Sequence, residues 1–275
     1  MYVNKITDAK ELWGSDSSPD ISAIFRSCHS WARTPGWAFI YRAVSASFAN
    51  FRGLRTIELG CGEGKISLLF SLLGAKTTLV DYSAKQLKRA KYIAEKFEVE
   101  PVIIQENILQ LPKSFVGQYD VAMSFGTAEH FFGDDRQRIF DAHSSVLKKG
   151  GLVIMWVPNR YGFLFHAGFT ARKLLRRSVC PVDEAPFSRK ELLRHAQAAS
   201  LSEVKIKGGG VLRNDFCRFI LDVPRILGLL KKRKSFIDAK SARYELLRCM
   251  ASNNTRLMPW NNFFSYPLVL IARHH

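Results

Sequence analysis

The sequence lacks any long apolar run. Its longest uncharged stretch, residues 257–272, is broken by Pro259, Asn261, Asn262 and Pro267 and falls short of the roughly 18 apolar residues that a spanning helix needs. No transmembrane helix is therefore expected. The first fourteen residues carry no apolar h-region followed by a small-residue cleavage site, so export by a cleaved signal is not expected either. Cysteine is sparse: five residues, at positions 28, 61, 180, 217 and 249, with no Cys-x-x-Cys pair. That leaves no zinc or dithiol signature and fits a reducing, cytoplasmic setting. Acids are scarce too, 24 Asp and Glu against 41 Lys and Arg, for a formal net charge of +17.

Charge speaks to partners rather than to fold, so its location matters. Residues 160–180 carry +5 with no acid among them, and residues 212–262 carry +7; these two stretches hold twelve of the seventeen net charges. The remainder is only mildly basic and ordinary for a globular chain, with 47% hydrophobic and 24% charged residues.

Apolar, β-branched runs bounded by turn signals recur at residues 54–59, 77–80, 101–105, 119–125 and 152–157, a pattern that predicts strands. Helical patterns alternate with them at 65–73, at 83–97 with Ser83 as N-cap, and at 134–147, where Lys-Lys-Gly-Gly reads as a basic last turn and a glycine stop. Another helix is expected at 188–199, with Glu191 in capping-box position relative to Ser188. Strands follow at 203–206 and 266–272. Such alternation predicts an α/β fold of Rossmann-like, doubly wound type: a mainly parallel sheet with helices on both faces. Residues 160–187 and 212–262 are too long for ordinary connections of about 2 to 6 residues and are expected to be insertions.

The first strand runs into Glu58-Leu59-Gly60-Cys61-Gly62-Glu63-Gly64. Glycines on a strand-to-helix turn tolerate positive φ and let a ligand approach the backbone. A dinucleotide loop wants G-x-G-x-x-G, yet Lys65 stands at its last glycine. Asp81 ends the second strand 21 residues after Gly60, where a carboxylate can accept from both hydroxyls of a ribose. Glu58 puts an acid beside the loop, which suits a ligand bearing an ammonium and a sulfonium better than one bearing pyrophosphate. The pattern points to S-adenosylmethionine.

Together with Ser124-Phe125-Gly126-Thr127-Ala128-Glu129-His130, these segments resemble the ordered motifs of the class I S-adenosylmethionine-dependent methyltransferases, in a branch of the methyltransferase type 11 kind. The likeness covers residues 53–158 most clearly. It implies a seven-stranded sheet with a helical cap built from the insertions. In its terms Glu58 holds the amino acid part of the cofactor, Gly60, Cys61, Gly62 and Gly64 pass beneath it, Asp81 and Tyr82 meet the ribose, and Phe125 and Gly126 lie beside it. Asn107 and Ile108, followed by Leu111-Pro112, match the adenine-contacting turn; aspartate is the family's usual residue at 107, and the Asn107 carbonyl oxygen can accept from the adenine amine. Cys61 is expected to pack as a small buried residue rather than react. The likeness also implies an N-terminal helical lid over 1–50, a cofactor-binding core at 51–159 continued at 188–211 and 263–275, and cap insertions at 160–187 and 212–262.

His130, just past the fourth strand, stands where cofactor and acceptor should meet, and imidazole is the side chain most often used as a general base. It is the candidate catalytic base, with loop shaping as the plainer role. Glu129, Asp134 and Asp135 offer oxygen donors, but helix capping and solvation explain the aspartates, and no metal is expected. The Asn-Pro-Pro-Tyr signature of many amino-group methyltransferases is absent after the fourth strand. The expected acceptor is a small apolar or lipid-linked molecule, methylated at oxygen; the alternatives are an RNA methyltransferase that uses the basic insertions and a catalytically inactive S-adenosylmethionine-binding partner protein.

Within the insertions, Phe163-Leu164-Phe165 precedes the cations at 172–177, and residues 226–230 precede Lys231-Lys232-Arg233-Lys234. Three readings stand open: a cap core with a solvated face, a peripheral contact with an anionic inner-membrane surface, and phosphate contact with RNA, for which no recognisable RNA-binding domain accompanies the charge. Trp31, Trp37 and Tyr41, just before the first strand, are expected to pack in the core.

Overall fold

Short, largely continuous apolar runs, as expected of strands covered on both faces, build seven strands: β1 (Arg55–Leu59), β2 (Lys76–Asp81), β3 (Val102–Gln105), β4 (Tyr119–Phe125), β5 (Leu147–Pro158), β6 (Leu201–Gly208) and β7 (Pro267–His274). In the computed structural model, which describes residues 19–162, 183–208, 238–251 and 267–275, they form one sheet in the order β3-β2-β1-β4-β5-β7-β6. Strands β1 to β5 pair in parallel, while β7 runs antiparallel to both β5 and β6. The sheet is the expected seven-stranded, mainly parallel one. Its order reverses direction between β1 and β4, the switch point at which open α/β sheets bind ligands beyond the strands' carboxyl ends.

The helices α1 (Ile21–Ala32), α2 (Pro35–Phe48), α3 (Lys65–Leu72), α4 (Ala84–Lys96), α5 (Asp135–Ser145), α6 (Arg189–Ala198) and α7 (Ala239–Ala251) cover the sheet. Local chemistry starts them. Asp20 accepts from Ser22 N, Thr34 accepts from Trp37 N with Pro35 in the first turn, and Ser188 and Glu191 form the expected reciprocal capping box. No helix among the described residues is long and apolar enough to cross a membrane.

Period-2 side-chain alternation splits the core into two layers. Val121, Met123, Ile154, Val269 and Ile271 meet α1, α2, α3 and α7 on one face, while Ile57, Leu59, Ala122, Val153, Met155 and Leu270 meet α5 and α6 on the other. Trp37 anchors the first layer, fully buried, with its ring 5.7 Å from that of Trp31 and edge-on to Phe70 at 5.7 Å.

One expected boundary is corrected. Lys148-Lys149-Gly150-Gly151 do not close a helix; α5 ends at Ser145 and β5 begins at Leu147. Leu147 pairs with Tyr119 and Leu152 with Val121, so five residues of β5 pass two of β4. Gly150 absorbs the bulge at φ +80°, and a Cβ on Gly151 would lie 2.9 Å from the Lys148 carbonyl oxygen. The glycines therefore serve a bulge, and Lys148 pairs with Asp120 at 2.7 Å. β6 is likewise longer than expected, with Glu203 at φ +47° beside a register shift between Ser202 and Lys205. The apolar and basic runs at 163–165, 172–177 and 226–234 lie outside the described residues.

Trp37 yields a stability test. Its indole Nε1 is buried without a hydrogen-bond partner among the described residues, so Trp37→Phe deletes that donor while keeping the six-membered ring. Chemical denaturation is expected to show a cost below about 1.5 kcal/mol for Trp37→Phe and about 3–5 kcal/mol for Trp37→Ala. Equal losses would mean that the indole nitrogen is satisfied after all.

Candidate functional site

Four loops leave the carboxyl ends of β1, β2, β3 and β4 on one side of the sheet, and their backbone conformations hold them together. Gly60, Gly62 and Gly64 sit at φ +74°, +52° and +67°, conformations that glycine adopts without steric cost. Gly60 N and Cys61 N both donate to the Val80 carbonyl, at 2.8 and 3.0 Å, which lays the loop across the end of β2. At Gly60 a Cβ would lie 2.3 Å from Thr127 Cγ2, and Thr127 Oγ1 donates to the Gly60 carbonyl at 2.9 Å. The loop after β4 is thus in direct contact with the loop after β1.

Asp81 joins the second strand to the same loop. Its Oδ2 accepts from Gly62 N and its Oδ1 from Ser83 N, each at 2.8 Å. Every carboxylate oxygen has a second acceptor site, so both remain able to receive hydroxyls. Burial raises its pKa, while the amide donors Ser83, Gly62 and Tyr82 oppose the shift. Tyr82 follows on the surface, 37% exposed, and its carbonyl accepts from Gln105 Nε2. Around Gly62, its chain neighbours aside, no atom of the described residues lies within 4 Å of where a Cβ would stand. Gly64, the N-cap of α3, has no side chain to offer the first amides, and the Glu58 carboxyl accepts from the Ser67 amide in that first turn.

Glu58 is 2% exposed on β1 and accepts a short hydrogen bond from Ser67 Oγ on α3. Burial pushes its carboxyl up to about 8, outweighing the opposing Ser67 bond. Cys61 is buried beside the loop, and burial raises its thiol well above the ordinary value, with Glu58 and Asp81 adding to the shift. It is a packing residue, held back from the reactive thiolate form.

The loop after β3 closes on itself. Asn107 Oδ1 accepts from Leu109 N at 3.0 Å, and Asn107 N donates to Glu106 Oε1 at 2.8 Å. The carbonyl oxygen expected to face an adenine amine thus spends one acceptor site on an Asx turn. Its second site and the amide NH₂ remain outside that turn. Ile108 is buried in the layer that meets α5 and α6.

Past β4, Gly126 takes φ +78° and donates its N–H to the Trp156 carbonyl at 2.9 Å. Phe125 is edge-on to Trp31 at 5.3 Å, and Trp31 packs on Trp156 at 4.5 Å, so α1 ends on an aromatic group at the tips of β4 and β5. Ala128 to His130 form a single 3-10 turn. Glu129 is 4% exposed, its Oε2 has no hydrogen-bond partner among the described residues, and burial raises its carboxyl to about 8. Asp134 stands at the N-cap of α5 without capping it through its side chain, and Asp135 pairs with Arg138 at 2.7 Å. Among the described residues, no three His, Cys, Asp or Glu side chains gather as metal ligands would.

His130 Nδ1 lies 3.1 Å from the carbonyl oxygen of Asp183. A carbonyl only accepts, so Nδ1 carries the hydrogen, and the neutral ring keeps its basic lone pair on Nε2. The structure therefore brings Glu58, the glycines, Asp81, Asn107, Phe125, Gly126 and His130 to one end of the sheet. Sequence reasoning missed Ser67, Thr127 and Asp183. Thr127 lay within a quoted motif with no role attached, whereas nothing in the sequence marks Ser67 or Asp183 as partners.

Residues 57–155 match the family described as Methyltransferase domain. Among curated proteins, the chain is 32% identical over 110 residues to a ubiquinone biosynthesis O-methyltransferase of Caulobacter sp., covering 40% of this chain and 43% of that protein. The enzyme of the same name from Escherichia coli is 29% identical over 110 residues, covering 40% and 45%. The chain thus spans less than half the length of these relatives. Among solved structures, a SAM-dependent methyltransferase from Archaeoglobus fulgidus superposes with a TM-score of 0.53 at 15% identity, over 86% of this chain and 93% of that one. Magnesium protoporphyrin IX methyltransferase from Synechocystis with bound SAH gives 0.53 at 14%, over 99% and 95%. At such identities the likeness is one of fold.

Gly60 offers a direct test of the loop packing. Gly60→Ala combines a disfavoured φ with a collision against Thr127, and strain of this kind costs of order 1–3 kcal/mol. The variant is expected to melt lower than wild type, and Gly60→Ala with Thr127→Ser is expected to recover part of the loss, since the colliding Cγ2 is gone. No recovery would mean that Thr127 does not press on Gly60.

Proposed function

We propose, from the premise that this chain belongs to the class I S-adenosylmethionine-dependent methyltransferases, that it methylates an oxygen of a small apolar acceptor, with His130 taking the acceptor's proton. The observation that carries this reading is the tie between Asp81 and Gly62 N at 2.8 Å, which joins an acid for ribose hydroxyls to a loop open above Gly62.

The residues present fit such a cofactor. Asp81 has acceptor sites for two hydroxyls, the glycine loop with its backbone amides suits the carboxylate of its amino acid part, and the buried Glu58 beside it suits its ammonium. When bound, S-adenosylmethionine supplies a methyl group already activated by a sulfonium. The chain's remaining work is to orient the acceptor, since positioning accounts for much of the catalysis of an in-line displacement, and to receive a proton. His130 in its Nδ1–H form presents Nε2 for that proton, at about 10² to 10⁴ in rate for a general base. The acceptor oxygen loses its proton to Nε2 and gains the methyl group.

An apolar acceptor is supported by Trp31, Phe125 and Trp156, which gather at the tips of β4 and β5 next to the His130 turn. Oxygen as the acceptor atom is supported by the names of the curated relatives.

Calorimetry with S-adenosylhomocysteine tests the cofactor assignment. Wild type is expected to bind it, and Asp81→Ala to bind about tenfold or more weakly, as loss of charge-assisted bonds to two hydroxyls requires. Unchanged affinity would remove Asp81 from the site.

Glu58 makes a second, independent prediction. Its carboxyl near 8 lies above the ordinary value, so at pH 7 it is mostly protonated in the ligand-free protein. An incoming ammonium favours the charged form, so binding must expel the proton, and affinity should rise as pH climbs from about 6 toward 8 while the ligand amine stays charged. Titrations at pH 7 in buffers of different ionisation heat are expected to report release of a fraction of one proton, absent in Glu58→Gln. Binding without proton release in wild type would contradict the assignment.

A further inference from the structure

Arg136, at the start of α5, is 7% exposed and sits at the centre of contacts that the proposed reaction does not use. Its Nε donates to Glu191 Oε1 at 2.8 Å, one terminal nitrogen donates to the Phe131 carbonyl at 3.2 Å, and the other donates to the carbonyls of Ala185 at 2.9 Å and Pro186 at 3.3 Å. The guanidinium carbon lies 3.5 Å from the centroid of the Phe187 ring. One planar fork therefore grips the turn after His130, the segment 185–187 and the first turn of α6. Glu191 is held in its own right by the Ser188 capping box and by Arg160 at 3.1 Å.

The gripped segment is the one that touches His130. Ala185 N donates to the Glu129 carbonyl at 2.8 Å, so both sides of Ala185 are fixed, by Glu129 on one and Arg136 on the other. Two residues upstream, the Asp183 carbonyl meets His130 Nδ1. Phe187 N donates to the Pro158 carbonyl and Arg160 N to the Phe187 carbonyl, each at 2.9 Å, which ties the far end of the segment to the end of β5. The Asp183 carbonyl is thus delivered to the imidazole by a strand of backbone pinned along its length.

We propose that Arg136 is a positioning residue: by holding the carbonyls of Ala185 and Pro186 it keeps the Asp183 carbonyl on His130 Nδ1, and so keeps the neutral imidazole in the tautomer whose basic nitrogen is Nε2. The inference deepens the role given to His130 and rests on that reading for its catalytic meaning, but not for its structural content. Lysine cannot replace the arginine, because four acceptors and a stacked ring require a planar fork with several N–H groups rather than a point charge.

Nitrogen-15 NMR of the imidazoles, at a pH of about 8.5 where an ordinary histidine is neutral, tests it without any acceptor. In wild type, His130 is expected to be predominantly the Nδ1–H form. In Arg136→Met and Arg136→Lys the ratio of Nδ1–H to Nε2–H should fall by about two- to tenfold, the range commanded by one hydrogen bond of ordinary net strength. Glu191→Gln, which spares the guanidinium, is the milder variant should removal of the buried cation prevent folding, and a smaller fall in the same direction is expected. A wild-type His130 that is mostly Nε2–H, or folded Arg136 variants that keep the wild-type ratio, would overturn the proposal, as would full restoration by lysine. Binding of S-adenosylhomocysteine, measured on the same samples, reports separately on the methyltransferase reading: its loss in wild type would sink that reading and leave the tautomer result standing.

Discussion

The bond from Gly62 N to Asp81 is the constraint on which the site depends. It closes the turn after β1 against the end of β2, and it requires positive φ along the turn, which only glycine accepts without strain. Parallel pairing of β1 with β2 and β4 sets the strand ends level enough for this bond and for the Thr127 contact to form. The crevice at the switch point is therefore a product of sheet order, and the glycines are the means by which backbone fills its floor without side chains.

Burial tunes the acids around that floor in the same direction. Glu58 and Glu129 are both nearly inaccessible, and desolvation raises each to about 8. Glu58 has Ser67 as a donor, whereas Glu129 Oε2 has no hydrogen-bond partner among the described residues. Asp81 is shifted in the same sense, but three backbone amides restrain it. An acid held by amides stays ready to accept hydroxyls, while one sealed in apolar surroundings holds its proton until a cation arrives.

Around His130, the structure is organised by long-range polar contacts rather than by strand ends. Arg136 and Glu191 are distant in sequence, yet their pairing fastens α5, α6 and the segment at 185–187 into one unit beside His130. α1 approaches from the opposite layer, where Cys28 Sγ reaches the Lys65 carbonyl at 3.4 Å and Trp31 ends on Phe125 and Trp156. Between these two supports lies the turn that carries Glu129 and His130.

Much of this was legible in the sequence because it is local. Apolar, β-branched runs between turn signals marked all seven strands, Ser188 and Glu191 announced their capping box, and Gly60 to Gly64 announced a strand-to-helix turn with positive φ, since each signal lies within one turn or one strand-helix unit. Lys148-Lys149-Gly150-Gly151 misled because a glycine pair after a basic turn looks the same whether it stops a helix or feeds a bulge, and only pairing with Tyr119 and Val121 decides. The sequence by itself determined the sheet, its loop chemistry and the candidate base. Tertiary structure alone decided that Glu58 is a buried acid held by Ser67 and that Asp183 faces His130 under the grip of Arg136. Those contacts join residues from 9 to more than 50 positions apart, and their energies depend on burial and geometry that no spacing rule encodes.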